Sequence, residues 1–178
     1  PCVAESHAPF RENNVKSMLR KGDKLYAGLY SGWIYVMDVR TRKYVAKYHN
    51  PTDKPVSSLV EGKDGEIIIG TFGNHPVKVL KSNGTIEDYP CSELDKLMEA
   101  TCLTECLGRL FIGTKGMGLF RLQDGKIGQV SLKKGNSQNG NISCLCTDSE
   151  DNVYVGTYDS GVYRIDKDNV CIPFGNSN

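Results

Sequence analysis

Four stretches of this sequence share one pattern: Lys24-Leu-Tyr-Ala-Gly-Leu-Tyr30, Glu66-Ile-Ile-Ile-Gly-Thr-Phe72, Arg109-Leu-Phe-Ile-Gly-Thr-Lys115 and Asn152-Val-Tyr-Val-Gly-Thr-Tyr158. In each stretch a polar residue precedes three apolar residues and a glycine. The four repeat glycines lie 42, 43 and 43 residues apart, at Gly28, Gly70, Gly113 and Gly156. So regular a spacing predicts a chain built of repeated structural units.

Each repeat contains four short runs that fit β-strands, here called a to d. Strand b is the apolar run that ends at the repeat glycine. Strand a is the short run before it, in which a small or hydroxylated residue precedes leucine, as in Ser57-Ser-Leu59. Turn residues such as Lys63-Asp-Gly65 separate the runs and supply the positive φ angles that tight hairpins need. Strands a and b are continuously apolar, as expected for strands buried on both faces, whereas c and d carry charge. A period of ~40–45 residues with four strands per repeat predicts an all-β fold, a β-propeller of four four-stranded antiparallel blades.

The repeat also predicts the unit boundaries: blade 1 at 15–54, blade 2 at 55–100, blade 3 at 101–140 and blade 4 at 141–178. Residues 1–14 resemble the end of blade 4, so we expect an outer strand or the tail of a preceding blade there. The helical candidate is a short insertion at 92–100, with Ser92 as its N-cap. Propellers close with about four to eight blades. The chain is therefore a complete four-bladed ring or part of a larger one, and the extra outer strand favours the larger ring.

Composition excludes several classes of protein. Apolar residues make up 39% of the chain, enough for a core, and a net charge of +1 argues against general nucleic-acid binding. No apolar run approaches the ~18 residues of a membrane span, so we expect no membrane insertion. The N-terminal residues also lack the pattern of a signal peptide.

Charge alternates from blade to blade. Nine Lys and Arg against three Asp give blade 1 a net charge of +6, and blades 2, 3 and 4 carry −4, +4 and −4. Opposite charges on adjacent blades favour their docking and can steer a partner. We interpret the basic c–d turn of blade 1 as a solvated hairpin rather than a phosphate site.

The seven cysteines cannot all pair within one chain, which favours a reducing compartment, cytoplasmic or nuclear, over an extracytoplasmic one. Cys102 and Cys106, like Cys144 and Cys146, lack the Cys-x2-Cys spacing of zinc sites, and no histidine lies close to them in sequence. We therefore expect small buried apolar cysteines, with no metal site and no cofactor.

Two repeats resemble a known family. Leu110-Phe-Ile-Gly-Thr-Lys-Gly-Met-Gly-Leu-Phe-Arg-Leu122 and Val153-Tyr-Val-Gly-Thr-Tyr-Asp-Ser-Gly-Val-Tyr-Arg-Ile-Asp166 are similar to the repeats of two-component-regulator propellers. The first repeat is more similar to a WD40 blade, with Met37-Asp38 in place of the Trp-Asp pair and no Gly-His pair. These resemblances imply a propeller, and the families concerned are mostly sensors and interaction platforms.

Propellers bind partners through loops that rigid blades hold at one face. The second position after each repeat glycine falls in an equivalent b–c loop and holds Tyr30, Phe72, Lys115 and Tyr158. Three aromatic rings at four equivalent places predict a rim for a peptide or a partner loop. The alternative is that these rings pack between neighbouring blades.

Two further residues are candidates for partner binding. Trp33, the only tryptophan, is either a core residue between blades or a surface anchor. His75 lies in Gly73-Asn-His-Pro76, a loop that departs from its sister repeats, and such a departure indicates a functional loop.

The motifs of common enzymes are absent from the sequence, so we expect no catalytic residue. The predicted function is a non-catalytic interaction platform that binds a protein or peptide at its loop face, or further blades in the same or another chain. The alternative is a ligand-sensing propeller of a signalling receptor that binds a small molecule or saccharide. A propeller lyase or hydrolase needs a histidine or paired carboxylates at the channel mouth, and Asp64 and Asp159 are the nearest candidates.

Overall fold

The computed structural model describes residues 14–132 and 140–174. In these two ranges the chain forms four four-stranded antiparallel sheets, each with its strands in chain order. This confirms the predicted all-β propeller architecture. The outer strand predicted within residues 1–14 lies outside the described residues, as does Cys2; the described Asn14 accepts a hydrogen bond at its carbonyl from the Tyr30 amide.

The four sheets correspond to the four predicted blades. Blade 1 comprises β1 (Val15–Lys21), β2 (Lys24–Leu29), β3 (Trp33–Asp38) and β4 (Lys43–His49). Blade 2 comprises β5 (Val56–Glu61), β6 (Ile67–Thr71), β7 (Val77–Leu80) and β8 (Ile86–Asp88). Blade 3 comprises β9 (Ala100–Cys106), β10 (Arg109–Thr114), β11 (Leu119–Gln123) and β12 (Lys126–Val130). Blade 4 comprises β13 (Ile142–Thr147), β14 (Val153–Thr157), β15 (Val162–Ile165) and β16 (Cys171–Pro173).

The helix predicted at 92–100 is wrong in length and in its cap. The structure has a 3₁₀ helix at Ser92–Lys96, Cys91 occupies the N-cap, and no side chain caps the helix. Leu94 and Leu97 both belong to the apolar cluster between blades 2 and 3. A 3₁₀ turn places residues three apart on one side, which brings both leucines into that cluster. The segment then extends into β9 at Ala100.

The blades pack on one another in sequence order. β1 packs on β5, β5 on β9, and β9 on β13. Three apolar clusters fill the junctions between blades 1 and 2, 2 and 3, and 3 and 4. Among the described residues no corresponding cluster joins blade 4 to blade 1. The four blades therefore form an open arc and not a closed four-bladed ring.

The repeat glycines have a packing role at these junctions. A Cβ on Gly28 would lie 2.4 Å from Val56 Cγ1 of the next blade, and one on Gly113 would lie 2.7 Å from Ile142 Cγ2. Only glycine lets the first residue of strand a in the next blade approach so closely. The regular spacing of the repeat glycines in the sequence thus reflects the contact that each blade makes with the next.

The expectation of buried cysteines holds for only part of the set. All six cysteines in the described ranges are unpaired, and Cys106 is buried, but Cys144 and Cys146 are exposed. Both lie on β13 of the last blade, where no further blade covers the sheet in the described residues. As for membranes, the described helix is too short to span a bilayer.

Candidate functional site: the loop rim

One edge of the arc collects the loops predicted to bind. The antiparallel order of the strands places the b–c loops and the connectors between blades at the same edge, which we call the loop rim. Its b–c loops are residues 30–32, 72–76, 115–118 and 158–161. Its described connectors are residues 50–55, 89–99, 131–132 and 140–141. The a–b and c–d turns lie at the opposite edge.

Backbone hydrogen bonds join the loops of the rim to the connectors. The Asn50 amide donates to the Gly32 carbonyl at 2.9 Å, and the Tyr158 amide donates to the Asn141 carbonyl at 3.2 Å. Glu99 links two blades, because its amide donates to Gly73 at 3.3 Å while its carbonyl accepts from Lys115 at 3.2 Å. The rim is therefore a set of loops held by main-chain contacts, which limits the conformational entropy lost on binding.

The rim presents three of its four predicted residues to solvent. The Tyr30 and Tyr158 side chains are 51% and 76% exposed. Lys115 is also exposed, with its Nζ 3.8 Å from Glu99 Oε2, whereas Phe72 is half-buried. Packing between blades thus does not account for Tyr30 or Tyr158. The Lys16 ammonium lies 5.4 Å from the centre of the Tyr30 ring, a cation–π distance.

His75 is exposed in the b–c loop of blade 2 and has a left-handed backbone with φ of 52°. Its Nδ1 lies 2.8 Å from Asp95 Oδ1 in the 3₁₀ helix, so the pair ties this loop to the connector that follows blade 2. The same rim contains a second such pair, with His49 Nε2 3.1 Å from Asp53 Oδ1. Exposed ion pairs of this kind contribute little to stability, roughly 0–1 kcal/mol.

Trp33 is half-buried at the start of β3 and does not belong to any of the three described apolar clusters between blades. Its neighbour Ile34 is fully buried against blade 2, so Trp33 points to the other face of blade 1. Its ring centre lies 4.3 Å from that of His49, and Lys47 Nζ lies 5.1 Å from the Trp33 ring centre. Trp33 therefore lies near the rim, on a sheet face that no described blade covers.

Asn50 is a structural residue of the rim that the sequence reasoning missed. It is fully buried, and its Nδ2 donates to the Lys54 carbonyl at 3.0 Å and to Thr71 Oγ1 at 3.2 Å. Its Oδ1 accepts from Thr52 Oγ1 at 3.0 Å. These bonds attach the connector after blade 1 to the end of β6. The Asn-Pro pair directly after strand d was the available signal, since this dipeptide favours the start of a turn.

The opposite edge holds carboxylates that brace turns. Asp148 accepts hydrogen bonds from the Asn152 side chain and amide, the Glu150 amide and the Tyr154 hydroxyl, which lower the pKa of Asp148 to about 2. Hydrogen bonds from the amide and hydroxyl of Thr41 likewise lower the pKa of Asp38. Both carboxylates are satisfied within their own turns.

The structure does not bring together Asp64 and Asp159, the two carboxylates that the sequence offered for a hydrolase. Asp64 lies in an a–b turn at the edge opposite the rim, whereas Asp159 lies in a b–c loop of the rim. In the part of the chain that the structure describes, there is also no group of three or more His, Cys, Asp or Glu side chains placed to hold a metal ion.

Fold and sequence together define this chain as a β-propeller repeat protein. The sequence profile of the family "two component regulator propeller" matches residues 136–159, which include β14 and the repeat glycine Gly156. The match covers part of one repeat of the four and ends before β15 and β16. A search of curated protein sequences finds no match.

Several solved structures share the arrangement of blades. The extracellular domain of BT4673 from B. thetaiotaomicron, assigned to a one-component system, is 24% identical with a TM-score of 0.69 over 92% of this chain. A second structure of that domain, assigned to a hybrid two-component system, is 25% identical. Virginiamycin B lyase from Staphylococcus aureus is 18% identical with a TM-score of 0.72 over 93% of this chain. The computationally designed Ika4 protein is 16% identical with a TM-score of 0.61 over 93% of this chain.

The extent of these matches differs. This chain spans 22% of the BT4673 chain and 56% of the lyase chain, but 94% of the designed protein. At such low identity the likeness to the lyase and to the designed protein is one of fold. Chemistry does not follow from it, because one propeller fold carries many unrelated functions.

Proposed function

We propose that this chain is a non-catalytic propeller segment that binds a protein or peptide partner at its loop rim. The observation that supports this proposal is the pair of exposed tyrosines, Tyr30 and Tyr158, at equivalent positions of loops held by main-chain hydrogen bonds. A tyrosine on a rigid loop offers a large amphipathic surface at low cost in conformational entropy. Lys115 adds a positive charge on the same rim.

The second candidate is a ligand-sensing propeller domain of a signalling receptor. It is favoured by the match to the two-component-regulator propeller profile at 136–159 and by the likeness to an extracellular domain. In that case the chain works outside the cytoplasm, and its ligand is a small molecule or saccharide. The six cysteines in the described ranges are unpaired and favour the first candidate, because free thiols are more common in reducing compartments.

The test is a selection of peptides from a random library on the immobilised chain, followed by affinity measurements. We expect the selected peptides to lose about tenfold or more in affinity when Tyr30→Ala and Tyr158→Ala are combined, as for hot-spot residues. Leu107→Ala is the matched control, since Leu107 is an apolar residue of similar exposure at the opposite edge.

Three outcomes would contradict the proposal. Peptides that bind the double variant as tightly as the original chain would show that the two tyrosines of the loop rim do not take part in binding. Binding on a glycan array without any selected peptide would support the sensor candidate instead. Chemical turnover of a bound ligand would show that the chain is an enzyme.

A further inference from the structure

The two end blades each leave one sheet face uncovered. In this arc every blade has a leading face, turned toward the blade before it, and a trailing face, turned toward the blade after it. The leading face of blade 1 and the trailing face of blade 4 have no blade against them in the described residues. The exposure of equivalent side chains at the three junctions between blades shows how far these faces would be buried if another blade covered them.

The leading face of blade 1 exposes residues whose counterparts are buried. Val15 is 43% exposed, whereas Val56, Ala100 and Ile142, which take the same position in the other inner strands, are each 0% exposed. Met18 is 66% exposed, whereas its counterparts Leu59 and Leu103 are 5% and 4% exposed. Leu25, Trp33 and Met37 are partly exposed on the same face.

The trailing face of blade 4 shows the same contrast. Val162 is 41% exposed, whereas Ile34, Val77 and Leu119, which also pair with a repeat glycine, are 0%, 2% and 1% exposed. Cys144 and Cys146 are exposed on this face, beside Tyr154. Apolar side chains at consecutive rows of one sheet form a surface that soluble proteins usually cover.

The two faces are complementary in shape. At two of the three junctions the first residue of strand a packs on the repeat glycine of the preceding blade, as Val56 does on Gly28 and Ile142 on Gly113; at the third, Leu103 of β9 approaches Gly70. Val15 is the first residue of strand a in blade 1, and no preceding blade offers it a repeat glycine to pack on. Gly156 is such a glycine, and the atoms nearest to a Cβ there belong to its own blade. One chain thus carries both halves of a fourth junction.

The two faces are also complementary in charge. Blade 1 carries a net +6 and blade 4 a net −4. The edge opposite the rim holds Arg20 and Lys24 on blade 1, and Glu150 and Asp151 on blade 4. The junction between blades 1 and 2 shows how such groups meet, with Lys21 Nζ 3.0 Å from Glu61 Oε1.

We propose that a second copy of this chain covers both faces, so that two copies close a ring of eight blades. The leading face of each copy packs on the trailing face of the other, with Val15 of one copy seated on Gly156 of the other. A single chain does not make this junction within itself in the described residues, because β5 packs on β1 and β9 on its two sides, whereas no comparable packing joins β1 to β13. Two copies related by a two-fold axis satisfy both faces at once and leave no open end, and eight blades are within the range in which propellers close.

The experiment is the solution mass of the full chain by light scattering across a concentration series. We expect about 39 kDa, twice the 19.6 kDa of one chain. A mass of one chain at all concentrations overturns the proposal and means that the faces need a blade that this chain does not supply. A mass that keeps rising with concentration also overturns it, because it indicates an open filament and not a closed ring.

Two variants test the direction of docking. Met18→Asp places a charge on the leading face and Val162→Asp places one on the trailing face, and each is expected to be a monomer. An equimolar mixture of the two should recover a dimer of reduced affinity, because one of its two junctions contains neither substitution. A Val162→Asp chain that remains a dimer would overturn head-to-tail docking in favour of contact between two leading faces.

Met98→Asp is the matched control, since Met98 is also an exposed methionine, at 53% against 66% for Met18, and lies at the loop rim on neither open face. It should leave the dimer intact. Thiol labelling gives a second readout that does not require a variant. Cys144 should become protected from maleimide as the chain concentration rises, whereas half-buried Cys91, outside both faces, should not. Equal labelling of Cys144 at all concentrations would overturn the proposal even if some dimer forms.

Discussion

Cys102 illustrates how a blade junction sets the chemistry of one side chain. Its thiol lies between β9 and the following blade, and burial raises the pKa of Cys102 to about 11, with a smaller opposing effect of the hydrogen bond to Thr101. A thiol with this pKa is about one part in a thousand thiolate at pH 8. The thiolate is the form that reacts, so Cys102 is doubly shielded, by its protonation and by its neighbours.

We therefore expect Cys102 to react with iodoacetamide far more slowly than Cys91 at pH 8. Because its folded-state pKa is raised, its rate should still rise about tenfold per unit between pH 8 and 10, where a thiol of ordinary pKa near 9 levels off. Isotope-coded alkylation with peptide mass spectrometry measures each site, and circular dichroism at each pH checks that the fold persists. A Cys102 rate that levels off above pH 9 would show that its pKa is not raised.

At the residue level the repeat located loop positions, whereas the predicted role of these residues in partner binding stays a prediction. The b–c loop positions Tyr30 and Tyr158 were located by counting from the repeat glycine, and both are exposed at the loop rim. The burial of Cys144 was predicted and is wrong. The sequence of an end blade is like that of an inner blade, so nothing in the chemistry of Cys144 tells whether another sheet covers it.

At the scale of the element, the repeat glycine connects sequence to packing. Gly28 lies on β2 directly below Val56 of the next blade, and a Cβ there would lie 2.4 Å from Val56 Cγ1 and 2.9 Å from Val56 Cβ. β-Branched valine is stiff and cannot turn its methyl groups away at no cost. The strand of one blade and the first residue of the next are thus fixed together.

Gly28→Ala should lower the free energy of unfolding by about 1–3 kcal/mol, the usual cost of overpacking. Gly128→Ala on β12 is the matched control, because no atom lies within 4 Å of its Cβ position and its φ is not in the left-handed region. This control should change the free energy of unfolding by less than about 1 kcal/mol. We expect the change to be an increase, because alanine lowers the conformational entropy of the unfolded chain. Urea denaturation of both variants measures the difference. Equal midpoints would show that close packing at the junction does not require glycine at position 28.

The sequence predicted the sheets better than the connectors. Strands b and c were located by a glycine and an apolar run that packing enforces in every repeat. The connector at 92–100 carries no repeated constraint, and its Leu94 and Leu97 are compatible with an α-helix or a 3₁₀ turn. Only the position of the neighbouring blades decides between the two.

At the scale of the whole molecule, the number of blades in the ring was beyond the sequence. Met18 stands where Leu59 and Leu103 stand, and an apolar residue of this kind is equally suited to a covered or an uncovered face. The structure resolves the question for one chain by showing three junctions among four blades.

If two copies close the ring, thermal stability must depend on chain concentration. Mass action favours the folded dimer, and the midpoint of unfolding should rise by roughly 1–3 °C per tenfold increase in concentration. Differential scanning calorimetry over two decades of concentration measures this slope. The midpoint of the Met18→Asp chain should not depend on concentration. An equal dependence in both chains would show that the effect does not arise from docking at the leading face.

The chain order of the strands has a consequence for biosynthesis. Every hydrogen-bonded strand pair in the described sheets joins neighbours in sequence, with no strand exchanged between blades. Contacts so local form early, and a blade can complete itself while later residues are still on the ribosome. If two copies close the ring, the junction between them comes last and is second order in chain concentration. The yield of closed rings in a cell would then follow expression level more steeply than the yield of folded blades.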